Sequence, residues 1–359
     1  MRVALVKQAL DVFGSWSGVK WKDTSPIKIF EVWPSRALFW ELTCMLQADW
    51  YIVPQAMESD YTRDAVQDHP GRAEVIGRYT KNIVAPEDIP FEKYDLVITF
   101  DPILKVPPGS PTLFAYFALE HWDRIYTASL RRPLVGYDLF LAHMIDCNAT
   151  VESLPQAVSF PYPHDSMLVR SIFPAEKQEL VWVDWRTLTT LAMQGPAEPW
   201  SSESEAASVR LGEILELPIL QRGKYFQQSY GFADPPVWGD AASYFQALAE
   251  CKYYVGVGRV AGAGQGLGDA AAAGCLCVGQ SEIAYHRLIC HAACLCEDIA
   301  ELPTRLKALR DSTDLQQEVL AYQDEALRKH FEQGPLNLLR QAVQMKSVKR
   351  SLASARGGK

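Results

Sequence analysis

The stretch GAGQGLGDAAAAG, residues 262–274, decides the fold of this chain because it places a glycine-rich segment between two apolar runs. The run before it, residues 253–255, and the run after it, residues 275–278, are typical of buried strands. Between them the sequence predicts a loop and then a short Ala-rich helix that starts near Asp269. Strand, loop, helix and strand together form the repeating unit of a parallel α/β sheet.

The composition of this loop suits an anionic ligand. Glycine lets the backbone approach a bulky group closely, and a helix N-terminus offers N–H donors and the positive end of a dipole. The sequence therefore predicts a nucleotide diphosphate at residues 264–269. The groups placed there belong to Gly264, Gln265, Gly266 and Asp269. A purely structural loop stays open as an alternative, as does a dinucleotide fingerprint at residues 256–261, although that motif normally opens the first unit of a domain.

The same residues resemble a known family. In nucleotide-sugar glycosyltransferases of the two-Rossmann (GT-B) type, group 1, the donor-binding C-terminal domain carries a glycine-rich loop, a helix beginning Glu-Ala-Met-Ala-x-Gly, and an apolar strand. Residues 269–274 (DAAAAG) are similar to that helix start, and residues 275–278 are similar to the strand. Retaining members often carry two glutamates separated by seven residues. Asp269 stands at the second of these positions and Ala261 at the first, so the resemblance favours inversion.

Alternating apolar runs and helical patterns continue along the whole chain and predict an α/β protein. With the resemblance, we expect two Rossmann-like domains that face a cleft, with C-terminal helices that cross back. The expected parts are an acceptor domain at 1–172, a nucleotide-sugar donor domain at 173–312, crossing helices at 313–345 and a basic tail at 346–359.

Composition bounds the class of protein. The chain has 359 residues, of which 22% are charged, and its net charge of -8 disfavours nonspecific nucleic-acid binding. Residues 1–6 have the pattern of a strand rather than of a signal peptide, and no apolar run reaches the length of a membrane span. We therefore expect a cytoplasmic protein. The tail at 346–359 has five basic residues and no acidic one; it is either a solvated end or a peripheral contact with anionic lipid or a polyanionic acceptor.

Five cysteines crowd into residues 275–296, with His291 beside them. A zinc site is one interpretation. However, structural zinc sites prefer two to four residues between paired ligands, whereas Cys-x-Cys leaves only one. Buried thiols in a reduced core are the favoured interpretation, and we expect no metal and no cofactor apart from the nucleotide-sugar co-substrate.

Further candidate residues follow predicted strands, because ligands of open α/β sheets bind at the carboxyl ends of the strands. In the second domain, Arg222 and Lys224 suit phosphate, Arg186 ends a strand, and Glu282 begins the helix at the position where the family often holds ribose hydroxyls. The alternatives are solvated surface cations and a carboxylate that stabilises a helix dipole.

In the first domain, the candidate catalytic residues are His121, Asp101 and Glu120. Residues 117–123 resemble the family's strand that ends in a histidine and an aspartate, and an inverting transfer needs a base for the acceptor hydroxyl. Structural roles for His121 and Asp101 stay open. The candidate acceptor-binding residues are Gly14, Ser15 and Trp16, in a loop where aromatic rings suit a sugar or base.

The predicted function is transfer of a sugar from a nucleotide-sugar donor to a hydroxyl acceptor, such as a glycan or a lipid-linked group, with a nucleic-acid acceptor disfavoured. Two alternatives remain. The first is a nucleotide-sugar epimerase on the same fold, with acid and base groups from the first domain. The second is a non-catalytic protein that binds sugar or nucleotide.

Overall fold

A computed structural model of the protein describes the greater part of the chain. The residues described are 1–8, 42, 45–53, 80–83, 85–99, 104–118, 136–142, 157–183, 216–217, 241–257 and 265–357.

The chain divides into two compact units. The first comprises Met1–Pro163 and Glu332–Lys359, and the second comprises His164–Phe331. The division at Pro163 falls nine residues before the expected boundary at 172, because helix α1 (Ser166–Ile172) packs within the second unit. Its Arg170 donates to the carbonyl oxygen of Ala271 at 3.2 Å and pairs with Asp324 at 2.7 Å.

Unit 1 contains a seven-stranded sheet in the order β3-β2-β1-β4-β5-β6-β7, and every pair of neighbouring strands is parallel. The first six strands follow the 3-2-1-4-5-6 order of doubly wound nucleotide-binding folds. The strands are β1 (Val3–Gln8), β2 (Asp49–Val53), β3 (Thr80–Ile83), β4 (Leu96–Thr99), β5 (Leu113–Ala118), β6 (Leu139–Ala142) and β7 (Ala157–Ser159).

The core of unit 1 consists of aliphatic and aromatic side chains from both sides of the switch point between β1 and β4. Polar atoms in this core are paired. The hydroxyls of Tyr51 and Tyr94 lie 2.7 Å apart, and Tyr94 donates to Asp49 at 2.8 Å. The Tyr137 hydroxyl lies 3.1 Å from the Thr99 hydroxyl, and burial raises the pKa of Tyr137. These bonds remove the cost of burying hydroxyl groups among the rings.

In unit 2 the described strands form a parallel sheet in the order β11-β10-β9-β8. They are β8 (Gln178–Val183), β9 (Cys251–Gly256), β10 (Leu276–Gln280) and β11 (Leu295–Cys296). The helices after α1 are α2 (Ala241–Glu250), α3 (Gln265–Ala272), α4 (Ala284–Ile289), α5 (Leu302–Asp311) and α6 (Thr313–Ala326). The predicted strand at 219–221 lies outside the described residues.

The side chain of Gln323 forms hydrogen bonds with backbone groups at the start of β10 that β11 does not reach. The two-residue β11 pairs only with Gly279 and Gln280 of β10. Nearer the start of β10, the buried Gln323 of α6 donates to the carbonyl oxygen of Cys275 at 2.7 Å and accepts from the backbone N–H of Cys277 at 3.0 Å. The amide group therefore satisfies the backbone groups that a longer β11 would otherwise pair.

After α6, a π-helical segment (Leu327–Gln333) leads into α7 (Gly334–Gly357). Residues 346–357, for which a solvated end and a peripheral contact are the two interpretations above, continue this helix; they include Lys, Arg and Ala and contain no proline. Lys346 also holds α7 to unit 1, since its Nζ donates to the carbonyl oxygen of Thr112 and to Asp138, both at 2.7 Å. Within the described part of the chain, no helix has the length and apolarity needed to cross a bilayer.

The cysteines of unit 2 are core residues. Six are described, all with free thiols and all buried, and among the described residues no group of three His, Cys, Asp or Glu side chains could hold a metal ion. Burial raises the pKa of Cys251 and of Cys294 to about 12, and that of Cys296 to about 11. The thiols therefore stay protonated and act as small apolar groups.

We predict that stability falls as the pH rises above 9, the ordinary thiol pKa. Above that pH the unfolded chain releases protons that the folded chain keeps, so each such thiol lowers the free energy of unfolding by about 1.4 kcal/mol per pH unit until its folded pKa is reached. Thermal unfolding between pH 8 and about 11 measures this loss. Replacing Cys251 with alanine should make the loss shallower, and a melting temperature that is constant over this range would contradict the burial of these thiols.

Candidate functional site

At the carboxyl edge of the sheet in unit 2, strands β9 and β10 carry glycines at or next to their last residues and are followed by helices α3 and α4. Strands β9 and β10 are parallel, and Gly256 pairs in register with Gly279. The chain leaves β9 after Gly256 and re-enters the described structure at the first residue of α3, Gln265. The predicted order of strand, loop, helix and strand is therefore present, with residues 258–264 of the loop outside the described part.

Helix α3 begins four residues earlier than the sequence predicts, at Gln265 instead of near Asp269. Gly266 and Gly268 have low helix propensity, and this hides the helix start in the sequence. Asp269 therefore lies in the second turn of α3 and not at its N-terminus. Among the described residues, the backbone N–H groups that lack a helical partner are those of Gln265, Gly266 and Leu267.

Gly268 accommodates a side chain of the protein itself. A Cβ atom at Gly268 would lie 2.2 Å from Nε2 of His164, which is far inside contact distance. Gly279 is similar, since its Cβ would lie 2.8 Å from the Sγ of Cys290. These two glycines thus serve internal packing, and this supports the structural alternative for part of the glycine pattern.

His164 connects α3 to α4 inside unit 2. Its Nδ1 lies 3.3 Å from the Asp269 carboxylate, and its Nε2 lies 2.5 Å from the hydroxyl of Tyr285. His164 is 2% exposed, whereas the side chain of Asp269 keeps 19% of its surface accessible. The ring of Phe331 packs on both partners, with centroids 5.6 Å from His164 and 4.9 Å from Tyr285. The cluster borders a partly accessible carboxylate on the second turn of α3.

His286 fixes the end of β10. Its Nδ1 accepts a hydrogen bond from the backbone N–H of Gln280 at 2.9 Å, and the ring is buried. Because Nδ1 accepts, the proton of the neutral imidazole lies on Nε2. The ring also lies close to the end of β9, with Cε1 3.7 Å from the position of a Cβ at Gly256.

The predicted donor-binding residues that the structure describes lie at two places, on α3 and just before α4. Gln265, Gly266 and Asp269 all lie on α3, with Gly266 partly buried. Glu282 is exposed and precedes α4, which begins at Ala284 with Ile283 as its N-cap. The expectation that Glu282 begins the helix is therefore wrong by two residues, because the tight turn after β10 uses residues 281–283. The other predicted residues lie outside the described part: Arg186, Arg222, Lys224, Gly264, His121, Asp101, Glu120, Gly14, Ser15 and Trp16.

Sequence analysis missed His164 and Tyr285. His164 follows Pro161-Tyr162-Pro163, a segment with neither helical nor strand periodicity. It meets Tyr285 across 121 residues of chain, and no local pattern carries that pairing. The sequence carries one local trace of this cluster, the glycine at position 268, which leaves room for His164. A single sequence does not show that packing against His164 is the reason for that glycine.

The sequence matches no known protein family and no curated protein. The chain is similar in structure to T4 phage β-glucosyltransferase, with 13% identity, 96% of this chain and 99% of that chain covered, and a TM-score of 0.45. For sucrose-phosphate synthase from Thermosynechococcus elongatus the values are 13%, 99%, 100% and 0.44. For HepE from Anabaena, in complex with UDP-glucose, they are 10%, 99%, 100% and 0.47. Each of these TM-scores is below 0.5.

We predict that Gly268→Ala destabilises the protein although alanine is the better helix former. The new methyl group would displace His164 from Tyr285 and Asp269, at a cost of about 1–3 kcal/mol, against a propensity gain of about 1 kcal/mol. Chemical denaturation of the single variants and of the double variant with His164→Ala completes a double-mutant cycle. In the His164→Ala background the same change should be neutral or stabilising. Stabilisation by Gly268→Ala with His164 present would contradict the close packing.

Proposed function

We propose that this protein is a glycosyltransferase that uses a nucleotide-sugar donor and a hydroxyl acceptor. The observation that carries the proposal is the unit β9, loop, α3 and β10 at the carboxyl edge of a parallel sheet, with the partly accessible Asp269 where the resembled family has a glutamate. The matching residues 269–278 form the helix and strand that the resemblance implies.

The start of α3 suits the donor diphosphate. Its first backbone N–H groups, from Gln265 to Leu267, have no carbonyl partner within the helix and lie at the positive end of its dipole. Anions bind such positions readily. Arg186, Arg222, Lys224 and Gly264 are proposed to complete the diphosphate site, and Glu282 to contact ribose hydroxyls. During transfer these donors would stabilise the charge that develops on the departing diphosphate.

Asp269 is proposed to contact a hydroxyl group of the donor, on the sugar or on the ribose. A carboxylate would repel the diphosphate, so its place in the second turn of α3 suits a neutral hydroxyl donor better. His164 lies 3.3 Å from the carboxylate and borders it on one side, and a side chain with less freedom loses less entropy on binding.

Inversion is proposed because Ala261 offers no second carboxylate. An inverting transfer needs a base for the acceptor hydroxyl, and His121, Asp101 and Glu120 are the proposed candidates. Gly14, Ser15 and Trp16 are proposed to bind the acceptor. The proposed reaction uses protein N–H groups and cations at the diphosphate, without a metal.

We predict that the protein slowly hydrolyses its nucleotide sugar when no acceptor is present. Release of free nucleoside diphosphate from a panel of nucleotide sugars, UDP-glucose among them, measures this reaction. Parallel assays with EDTA and with Mn²⁺ test the independence from metal. Isomerised sugar without release would indicate the epimerase, and binding without turnover would indicate a non-catalytic protein. Either result contradicts the proposal.

We predict that Asp269→Asn weakens binding of the nucleotide sugar about tenfold. The amide keeps the shape of the side chain but loses the charge that strengthens a bond to a hydroxyl group, and tenfold corresponds to about 1.4 kcal/mol. Calorimetry with the nucleotide sugar and with the free nucleoside diphosphate separates the two contacts. Weaker binding of the sugar nucleotide alone assigns Asp269 to the sugar, and weaker binding of both assigns it to the ribose.

The matched control is Asp311→Asn, at an exposed carboxylate on α5 that pairs with Lys307. This variant should bind both ligands as the unmodified protein does. Unchanged affinity of folded Asp269→Asn for both ligands would remove Asp269 from the site.

A further inference from the structure

Helix α7 exposes a stripe of apolar side chains. The described chain has six exposed large hydrophobic residues, and three of them lie within eight residues of α7: Met345, Val348 and Leu352, at 60%, 58% and 56% exposure. Their spacing of i, i+3 and i+7 puts them on one face of the helix. Single exposed apolar residues are ordinary, but a contiguous stripe indicates an interaction surface. We call these three residues the outer face of α7.

The opposite side of α7 is anchored to its own unit. Leu339 is fully buried, and Lys346 donates to the carbonyl oxygen of Thr112 and to Asp138, which in turn accepts from the backbone N–H of Phe114. These contacts fix the rotation of the helix about its axis. The outer face is therefore exposed because the opposite side of α7 packs on unit 1, and not because the end of the helix frays.

The charge on α7 is opposite to that of the rest of the chain. The helix contains five cationic residues and no acidic one: Arg340, Lys346, Lys349, Arg350 and Arg356. The chain as a whole carries -8, so the residues outside α7 carry -13. Lys349 is exposed and lies beside the outer face, four residues after Met345 and three before Leu352, whereas the exposed Arg350 lies on the same side of the helix as Lys346. An acidic protein thus presents one strongly cationic helix with an apolar stripe.

We propose that the outer face of α7 binds the surface of an anionic phospholipid membrane. Met345, Val348 and Leu352 would enter the boundary between headgroups and acyl chains, while Lys349 contacts a lipid phosphate. An apolar stripe flanked by Lys and Arg is the pattern of helices that lie in this interface, and basic residues near an anionic surface add to the affinity.

Lipid fits this surface better than a nucleic acid does. Both present phosphates to Lys349, but a phosphate backbone offers no apolar layer for three exposed hydrophobic side chains. Transfer of these side chains out of water favours the acyl boundary. The proposal does not depend on the glycosyltransferase assignment, because it concerns unit 1 and needs no donor nucleotide.

Cosedimentation of the full chain with phospholipid vesicles tests the proposal. We expect binding to vesicles of phosphatidylcholine with one third phosphatidylglycerol, little binding to pure phosphatidylcholine, and weaker binding as salt rises. Val348→Asp combined with Leu352→Asp should lower the partition coefficient at least about tenfold, because two apolar anchors become charged. Lys349→Glu should lower it by a similar factor at low salt, whereas Arg350→Glu, on the side of the helix that carries Lys346, should lower it less.

The matched control is Met167→Asp, at an 84% exposed position on α1 in unit 2; it should bind vesicles as the unmodified protein does. All of the altered side chains are exposed, so melting temperatures should be unchanged and a folding defect would be visible. Equal vesicle binding by the unmodified protein and by Val348→Asp/Leu352→Asp would overturn the proposal, as would absence of binding to anionic vesicles. Binding to duplex DNA that the charge reversals abolish and the aspartates leave intact would assign the helix to nucleic acid instead.

Discussion

Two cations at the C-terminus of α3 hold the element on which the candidate site depends. Arg170 donates to the carbonyl oxygens of Ala271 and Ala272 and pairs with Asp324 on α6. Lys177 donates to the carbonyl oxygen of Ala273 at 2.8 Å and to two carbonyls at the junction of α2 and β9. Helix C-termini carry carbonyls without partners and the negative end of the dipole. Both cations therefore stabilise α3 at the end remote from the proposed ligand and leave its N-terminal N–H groups available.

The second turn of α3 contributes to the internal packing of unit 2 and also carries the proposed ligand-binding carboxylate. Gly268 leaves room for His164, and His164 in turn lies against Asp269 and contacts Tyr285. Gly268 belongs to the glycine pattern that suggests a ligand, but its lack of a side chain is required for packing inside the protein. Because Gly268 packs against His164 and the Asp269 side chain stays partly accessible, the proposed ligand contact is assigned to the Asp269 carboxylate.

Sequence reasoning succeeded where apolar runs are continuous and failed where distant residues decide the structure. Strands β1, β4 and β9 were predictable because their central residues are all apolar. Strand β3, Thr80–Ile83, was missed because its sequence is TKNI and carries no such run. The start of α3 was misplaced because glycines conceal a helix that tertiary packing supports. His164 and Asp269 are 105 residues apart in the sequence, so their pairing follows from the fold and not from local spacing. The helical state of residues 346–357 depends partly on the anchor of Lys346 to unit 1.

The hydrogen bonds of Gln323 have a consequence for association between copies of the chain. Because β11 is so short, the backbone of β10 near Cys275 and Cys277 would be an open strand edge, and such edges pair with strands of other molecules. A side-chain amide already occupies these groups. It offers neither a repeating backbone nor room for an incoming strand, so this sheet edge resists aggregation at a point where the chain itself supplies no further strand.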